Sequence, residues 1–314
     1  MQIFNKTQIE AVLSRDLLTD AVANAFVAFS KGRVTIPPVG YLPFTEPSGD
    51  MHIKYGHIKG DPVFVVKLAT GFYDNPKLGL PSSNGLMLVL SAETGVPLAL
   101  LQDEGFLTDS RTAAAGAIAS KALAPQGAKH IGIVGTGIQA RMQLMYHRSL
   151  MPIAKVSVFG RNTDAAALFA KDMQQKGIDV CQLDSIEELC ANANIIITTT
   201  PATSPLIMSS WVNGGTHITA VGADAPGKQE IDNNIFERVA FTVFDSKEQC
   251  LHHGETCHAS VVFDDRNSAE LGALIDNPAL YKRADQDITV ADLTGIAAQD
   301  IAAAKIVWNA LKSG

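Results

Sequence analysis

Apolar residues recur at helical spacing near the start of the chain and in short runs after it. Positions three and four apart over residues 8–30 predict a helix, with Asp16 and Asp20 as candidate caps. Glycine and proline then separate β-like runs at residues 51–58, 62–68, 85–91 and 96–101. This first third is typical of an α+β domain with an antiparallel or mixed sheet.

From about residue 110 the pattern alternates between helix and strand. An alanine-rich helix is predicted at 111–124 and a last helix at 297–312. Short apolar segments between them predict strands at 130–134, 155–159, 194–200, 216–221 and 239–244. Strands that alternate with helices form parallel sheets with crossover connections. We therefore expect an α/β fold with a Rossmann-type doubly wound parallel sheet.

A glycine-rich turn directly follows the strand at 130–134 and opens a helix. Its sequence is Gly135-Thr136-Gly137-Ile138-Gln139-Ala140. The first glycine permits a tight turn, the second lets backbone N–H groups approach a pyrophosphate, and the small third residue lets the helix pack closely. Such a turn occurs by chance, but here the strand, helix and second strand are also present. These residues are predicted to bind a dinucleotide.

The end of the second strand indicates which dinucleotide is bound. NAD-binding folds carry an acidic residue there, on the ribose 2′-hydroxyl. This chain has Gly160-Arg161-Asn162 instead. Because a guanidinium pairs with a 2′-phosphate, Arg161 favours NADP, with NAD as the alternative. The competing interpretation is an exposed loop arginine.

Charged residues in apolar or turn segments are further candidates. Lys67 lies within an apolar run, so it needs an anionic partner or a shifted pKa. Arg111 heads the alanine-rich helix, and its planar fork suits a carboxylate. For both, the alternative is a surface ion pair. Asp224 follows the strand at 216–221, where ligands of doubly wound sheets bind, and is either a proton donor and acceptor or a turn residue.

Composition and charge narrow the function classes. The 314 residues are 46% hydrophobic and 18% charged, which is typical of a folded globular protein. The net charge of −7 disfavours general nucleic-acid binding. No apolar run reaches the roughly 18 residues of a membrane helix, and the N-terminus lacks a signal-peptide pattern. We expect a cytoplasmic protein that binds neither nucleic acid nor membrane.

A cluster of metal-ligand residue types lies near residue 254. It contains Cys250, His252, His253, Cys257 and His258. The spacing fits neither a zinc ribbon nor a zinc finger, and the four cysteines form no C-x-x-C pair. We expect no metal site there.

Together these segments resemble the ornithine cyclodeaminase/mu-crystallin family nearly end to end. The run at 107–115, which begins LTDSRTAA, is highly specific to that family. The other segments that carry the resemblance are Val66-Lys67 with Asn75, the glycine turn, Thr198-Thr199-Thr200, Val221-Gly222-Ala223-Asp224 with Gly227-Lys228, Gly254-Glu255 and residues 294–300.

The resemblance implies a homodimer in which each subunit has two domains. A smaller α+β domain for substrate binding and dimerisation is built from both chain ends, at residues 1–112 and 300–314. Residues 113–299 form the dinucleotide-binding Rossmann domain.

The resemblance also implies roles for individual residues. Lys67 and Arg111 are expected to hold the substrate carboxylate. Asp224 is the expected acid/base at the substrate nitrogen and, with Lys67, the expected catalytic pair. Gly295 is expected to contact the substrate. The remaining cofactor contacts are expected from Thr112, Asn162, Thr199, Thr200 and Val221.

Two departures point away from ornithine cyclodeaminase itself. Those enzymes carry another arginine near the start of the first sheet, whereas this chain has none between Arg33 and Lys67. Asp292-Leu293-Thr294 stands where mu-crystallin-like members have a Phe-Lys-Ser type sequence. Both places are more similar to the ectoine-utilisation-type and amino-acid dehydrogenase branch.

The activity that the resemblance implies is hydride exchange with the α-carbon of an L-amino acid or 2-imino acid. We expect an NADP-preferring amino-acid dehydrogenase or imine reductase. Glu46, Asp50 and Glu104 lie beside the expected pocket and favour a basic substrate such as L-arginine, unless they are ordinary surface acids. The alternatives are a 1-pyrroline-2-carboxylate (ketimine) reductase, a cyclodeaminating lyase that retains NAD, and a protein that holds NADPH and a small ligand without turnover.

Overall fold

The computed structural model describes residues 1–72 and 74–312, with Pro76 described by its backbone alone. The chain divides into two compact units. The first unit combines Met1–Arg111 with Ile296–Gly314, and the second is Thr112–Gly295. Residues 313 and 314, which the prediction places in the first domain, lie outside the described residues. The assignment of substrate binding and dimerisation to the first unit stays a prediction.

The helices of the described residues are α1 (Lys6–Val12), α2 (Arg15–Ser30), α3 (Phe106–Leu123), α4 (Ile138–Leu150), α5 (Thr163–Gln174), α6 (Ile186–Asn192), α7 (Lys247–His253), α8 (Leu271–Asp276) and α9 (Ala297–Leu311). The strands are β1 (Gln2–Asn5), β2 (Val34–Thr35), β3 (Gly40–Phe44), β4 (Gly49–Ile58), β5 (Val63–Phe72), β6 (Ser83–Ser91), β7 (Pro97–Gln102), β8 (His130–Val134), β9 (Lys155–Phe159), β10 (Cys181–Gln182), β11 (Ile195–Thr198), β12 (Thr203–Ile207), β13 (His217–Ala220), β14 (Gln229–Ile231), β15 (Val239–Phe244), β16 (Ser268–Glu270) and β17 (Ile288–Asp292). Among these helices none is long and apolar enough to cross a membrane.

The first unit is built on a mixed sheet with strand order β1-β7-β6-β5-β4-β2, and β3 also pairs with β4. Its pairings are antiparallel except for the parallel pairing of β1 with β7. Alternate residues of a strand face the same side, so Lys67 lies on the buried face of β5 with Val63 and Val65. Helix α9 packs against α2 and against β4 and β5.

The helical structure predicted over residues 8–30 is present, but as two helices. The structure has α1 and α2, separated at Leu13 and Ser14. Helix α1 begins earlier than predicted because Asn5 and Gln8 form a capping box, each side chain bonding the other's backbone N–H at 3.0 Å. Asp16 lies in the first turn of α2, where an acid favours the helix dipole, and Asp20 lies inside the helix and is no cap.

The second unit contains a parallel sheet with strand order β10-β9-β8-β11-β13-β17-β15-β16. All of its pairings are parallel. The order steps outward in both directions from β8 and β11, with crossover helices between strands, so the predicted doubly wound fold is confirmed. Every predicted strand of this unit is present. The short strands β10, β12, β14 and β16 were not predicted, and neither was β17, which is buried throughout.

Helix α5 covers one face of this sheet with a narrow apolar stripe. Phe169 and Met173 are fully buried in a cluster that contains Ile131, Val156 and Val158. The neighbouring Leu168 is 54% exposed. The helix therefore stabilises the sheet through Phe169 and not through the residue beside it.

We predict that Phe169→Ala lowers the free energy of unfolding by about 3–5 kcal/mol, because it removes a buried aromatic ring and leaves a cavity. Leu168→Ala is the matched control on the same helix and is expected to change it by less than about 1 kcal/mol. Urea unfolding of both variants measures the difference. Equal losses would contradict this orientation of α5.

Candidate functional site

Three charged side chains of the first unit meet in a buried cluster. Lys67 Nζ lies 3.0 Å from Asp300 Oδ1 and 2.9 Å from Oδ2. Arg111 Nε donates to Asp300 Oδ1 at 2.9 Å. All three residues are less than 5% exposed. The structure thus brings Lys67 and Arg111 together on one carboxylate, and neither forms the surface ion pair that was the alternative interpretation.

A neutral side chain completes the cluster. The amide oxygen of Gln299 accepts a hydrogen bond from Arg111 Nη1 at 2.9 Å and one from the N–H of Ile296 at 2.9 Å. These two bonds fix which end of the amide is oxygen. The amide nitrogen, Gln299 Nε2, is then a buried donor that has no partner among the described residues.

Separate elements place these side chains. Lys67 comes from β5, Arg111 from α3, and Asp300 from the first turn of α9, where a helix dipole favours an anion. Sequence reasoning missed Gln299 and Asp300. The burial of Lys67 signalled that an anion was required, but nothing local indicated which acid supplied it.

Burial and like charge together depress the basicity of the lysine. Burial, then Arg111 and Lys54, lower the pKa of Lys67 to about 7, against the opposing effect of Asp300. Burial alone raises the pKa of Asp300, but Arg111, Lys67 and Lys54 hold it below its usual value. Lys54, also missed from the sequence, stands opposite Lys67 in the β4–β5 register. A second buried carboxylate, Asp103, also interacts electrostatically with Lys67 and Asp300. The three basic groups still outnumber the two carboxylates, and the cluster suits a further anion.

The glycine turn of the second unit has the geometry that a pyrophosphate requires. Gly135 has φ +120°, and a Cβ there would lie 2.3 Å from Thr199 Oγ1. Gly137 is the N-cap of α4 and, having no side chain, makes no side-chain capping hydrogen bond. A Cβ on Gly137 would meet no atom within 4 Å. Open space at the start of a helix, where the dipole favours negative charge, fits an anionic phosphate.

Side chains behind the turn hold its shape. The guanidinium of Arg141 donates to the carbonyl of Thr136, and its Nη2 lies 2.6 Å from Asp172 Oδ2. Ala140 is fully buried, as the small third position requires, while Ile138 is half exposed and Gln139 half-buried. Sequence reasoning missed Arg141, although it lies only four residues after the second glycine.

Loops at the carboxyl ends of β11 and β13 carry the other predicted cofactor contacts. The N–H of Thr199 donates to the carbonyl of Val134 at 3.0 Å, and that of Val221 to Thr198 at 3.2 Å. The N–H of Thr200 donates to Glu230 Oε1 at 2.6 Å. These residues follow neighbouring strands at the edge where doubly wound folds bind ligands.

Asp224 lies in the loop after β13 and is half exposed. Its Oδ1 is 2.6 Å from Lys228 Nζ, within the same loop. Both side chains are accessible, so the ion pair is a weak one that a ligand can replace.

The remaining predicted site residues lie in varied surroundings. Arg161 is exposed at the end of β9, and Asn162 caps α5 by accepting from the N–H of Ala165 at 3.0 Å. The carbonyl of Thr112 accepts from Gln143 Nε2 at 3.1 Å. Gly295 is buried with φ +79°, and its N–H donates to Asp245 Oδ2 at 2.5 Å.

The cysteine and histidine cluster is dispersed by α7 and the loop after it. The Cys250 thiol is buried and donates to Asp245 Oδ1 at 3.3 Å. His258 Nε2 lies 3.0 Å from the carbonyl of Lys228, and Cys257 is exposed. Within the described residues no group of three or more histidine, cysteine or acidic side chains is arranged to hold a metal ion.

Known proteins are similar to this chain over nearly its whole length. The model of the ornithine cyclodeaminase/mu-crystallin family matches residues 1–314. An uncharacterized cyclodeaminase of Sinorhizobium fredii is 37% identical over 98% of this chain and 95% of its own. The alanine dehydrogenase of Archaeoglobus fulgidus is 36% identical over 98% and 95%, and the Delta(1)-pyrroline-2-carboxylate reductase of Bacillus cereus is 31% identical over 93% and 92%.

Solved structures also match this chain over its whole length. An archaeal alanine dehydrogenase dimer with bound NAD matches with a TM-score of 0.92 and 34% identity, over 100% of this chain and 96% of its own. The Delta(1)-pyrroline-2-carboxylate reductase of Thermococcus litoralis, in complex with NADH and L-proline, matches with a TM-score of 0.94 and 29% identity, over 100% and 98%. The family resemblance stated from the motifs is confirmed.

Gly137→Val tests the turn, because the structure accommodates a Cβ that a bound pyrophosphate would not. We predict an unchanged thermal unfolding midpoint and at least a tenfold weaker affinity for NADH, measured by titration of NADH fluorescence. Undiminished NADH binding by the folded variant would place the dinucleotide elsewhere.

Proposed function

Since the chain belongs to the ornithine cyclodeaminase/mu-crystallin family, whose members include NAD(P)-dependent oxidoreductases and cyclodeaminases, we propose that it is an amino-acid dehydrogenase or imine reductase. Its reaction exchanges a hydride with the α-carbon of an L-amino acid or a 2-imino acid. The observation that carries the proposal is the buried cluster of Lys67, Arg111 and Asp300, in which basic groups outnumber the carboxylate.

The cluster binds the substrate by its carboxylate. Arg111 supplies a planar fork and Lys67 an ammonium, the two groups that pair with carboxylates in proteins. Gln299 Nε2 adds a buried donor without a protein partner, which a carboxylate oxygen satisfies. Because Asp300 already fixes both cations, the carboxylate is received by groups that are held in place.

The second unit supplies the redox and proton chemistry. When bound, NAD(P) accepts a hydride from the substrate α-carbon, or donates one in its reduced form. In the oxidative direction the amine becomes an imine, and the Asp224 carboxylate takes the proton that the nitrogen loses. Water then hydrolyses the imine to a 2-oxo acid and ammonia. In the reductive direction Asp224 returns the proton to the nitrogen.

The surroundings of two acids, Asp50 and Glu104, bear on the choice of amino acid. Glu46, Asp50 and Glu104 supported a basic substrate such as arginine. Glu104 Oε2 lies 3.5 Å from Lys6 Nζ, and Asp50 Oδ1 lies 3.5 Å from His52 Nε2. Both carboxylates thus have basic neighbours, which favours a substrate recognised by its carboxylate over one recognised by a basic side chain. We rank alanine and cyclic imino acids first and retain arginine as a candidate.

The proposed assembly is a cytoplasmic homodimer formed through the first unit. Large apolar side chains are exposed on β3 and β4, namely Tyr41, Leu42, Phe44 and Tyr55. A surface of this kind is typical of a protein interface.

A substrate panel tests the proposed function. The purified protein is incubated with NADP or NAD and with L-alanine, L-proline, L-arginine, L-lysine or L-ornithine, and the absorbance of the reduced nicotinamide is followed. The reverse reaction is tested with NADPH or NADH and 1-pyrroline-2-carboxylate, or pyruvate with ammonia. We expect net cofactor turnover with at least one compound. Formation of proline and ammonia from ornithine without net turnover would instead identify a cyclodeaminase.

Arg161→Ala tests the proposed preference for NADP. The loss of one charge-assisted hydrogen bond costs about 1.5–3 kcal/mol, so the dissociation constant for NADPH is expected to rise about 10- to 100-fold. Affinity for NADH is expected to stay within about twofold, since NADH has no 2′-phosphate. Arg148→Ala, at another exposed arginine of the second unit, is the matched control. A parallel change in both affinities would contradict the NADP assignment.

A further inference from the structure

One buried carboxylate joins the loops that follow two adjacent strands of the parallel sheet. Glu230 lies in β14 and is fully buried. Its Oε1 accepts the N–H of Thr200 at 2.6 Å, and its Oε2 accepts the N–H of Gly222 at 3.0 Å. Thr200 stands two residues after β11, and Gly222 two residues after β13. A single side chain therefore sets the separation of the two loops.

The approach of the loops leaves no room for adjustment. A Cβ on Gly222 would lie 2.3 Å from Glu230 Oε2 and 2.3 Å from the carbonyl oxygen of Thr200. Glycine is required at residue 222 because both loops and the carboxylate meet there.

A second carboxylate, that of Glu255, holds the backbone of Glu230 in place. Glu255 Oε1 accepts the N–H of Glu230 at 2.7 Å, and Oε2 accepts that of Ile231 at 3.1 Å. The N–H of Glu255 in turn donates to Asp292 Oδ1 at 3.1 Å, at the end of β17. The two loops are thus connected to the centre of the sheet through three buried carboxylates.

This arrangement is costly if its only role is stability. Within the described residues, the donors to these three carboxylates are backbone N–H groups and threonine hydroxyls, among them those of Thr200 and Thr256, and no basic side chain forms an ion pair with the carboxylates. Burial raises the pKa of Glu230 to about 7, of Glu255 to about 9 and of Asp292 to about 7. Buried acids without a cationic partner are found mainly where function requires them.

We propose that Glu230 is a positioning residue, which sets the distance between the loop at 199–202 and the loop at 221–224 and so places Thr200, Val221 and Asp224 for their roles. The inference rests on the proposed function, because those residues are the assigned cofactor contacts and proton acceptor. Glu230 itself contacts neither cofactor nor substrate and acts through the two N–H groups that it accepts.

A carboxylate suits this role because both of its oxygens accept hydrogen bonds. The amide of glutamine has the same shape but only one acceptor oxygen. Its NH₂ group would face the second backbone N–H, and two donors cannot form a hydrogen bond. Glu230→Gln therefore keeps the hydrogen bond to one of the two loops and loses the hydrogen bond to the other. It also removes a buried charge, so no loss of stability is required.

The test compares cofactor binding with substrate binding in Glu230→Gln. We expect the dissociation constant for NADH, from its fluorescence, to rise about tenfold or more, the KM of the cofactor to rise with it, and kcat to fall. The substrate KM is expected to stay within about twofold, since Lys67 and Arg111 hold the carboxylate. Glu237→Gln, at an exposed glutamate shortly after β14, is the matched control and is expected to match the wild type.

Two results would overturn the inference. One is an unchanged NADH dissociation constant in the folded variant. The other is a lower kcat with both KM values unchanged, which indicates only a smaller fraction of folded enzyme. If Glu230→Gln does not fold, Glu230→Asp, which keeps both acceptor oxygens on a side chain one methylene shorter, is expected to weaken NADH binding in the same selective way. Failure of the wild type to bind either NADH or NADPH would instead count against the proposed function.

Discussion

A lysine on the apolar face of a strand must have an anion within reach, and the first unit is organised around that requirement. Lys67 finds its anion in Asp300, which is 233 positions away in sequence and lies on the last helix of the chain. The same carboxylate also binds Arg111, so side chains from β5, α3 and α9 are joined at the carboxylate of Asp300. Removal of one member of such a buried set costs about 3–5 kcal/mol, because the others remain charged without a partner. The two ends of the chain are therefore joined by electrostatics as well as by apolar packing.

In the second unit it is backbone N–H groups that need acceptors, and buried carboxylates again supply them. Its loops present backbone N–H groups, and buried carboxylates accept several of them. Glu230 fixes the loops at Thr200 and Gly222, while the start of α4 has open space beside Gly137. A dinucleotide phosphate and a substrate carboxylate are both anions, so N–H groups in one unit and cations in the other suit the proposed reaction.

Local patterns predicted the parts of the protein that depend on local physics. The glycine turn, the order of strand and helix, and the buried lysine were all visible in short segments, because backbone conformation and burial leave their mark on neighbouring residues. The partners of those residues were not visible. Asp300 and Glu230 act on residues far away in sequence. Although Asp300 lies in a segment that carries the family resemblance, no local pattern showed which residues either acid would contact. Strand β17 was missed for a related reason, since its polar Thr289 and Asp292 are buried by tertiary contacts.

Proton uptake on carboxylate binding tests most directly whether Lys67 is held partly neutral for its ligand. With a pKa of about 7, the lysine is about nine-tenths neutral at pH 8 in the free protein and becomes charged opposite a bound carboxylate. Affinity is then expected to fall as the pH rises above 7, by up to about tenfold per pH unit. The 2-oxo acid product, which carries no amine, is titrated by calorimetry into protein saturated with oxidised cofactor, in buffers of different ionisation enthalpy.

Uptake of close to one proton per chain at pH 8 is the expected result. Lys67→Arg, whose guanidinium stays charged, is expected to take up none. Equal proton uptake by the wild type and by this variant would contradict the account of the buried cluster.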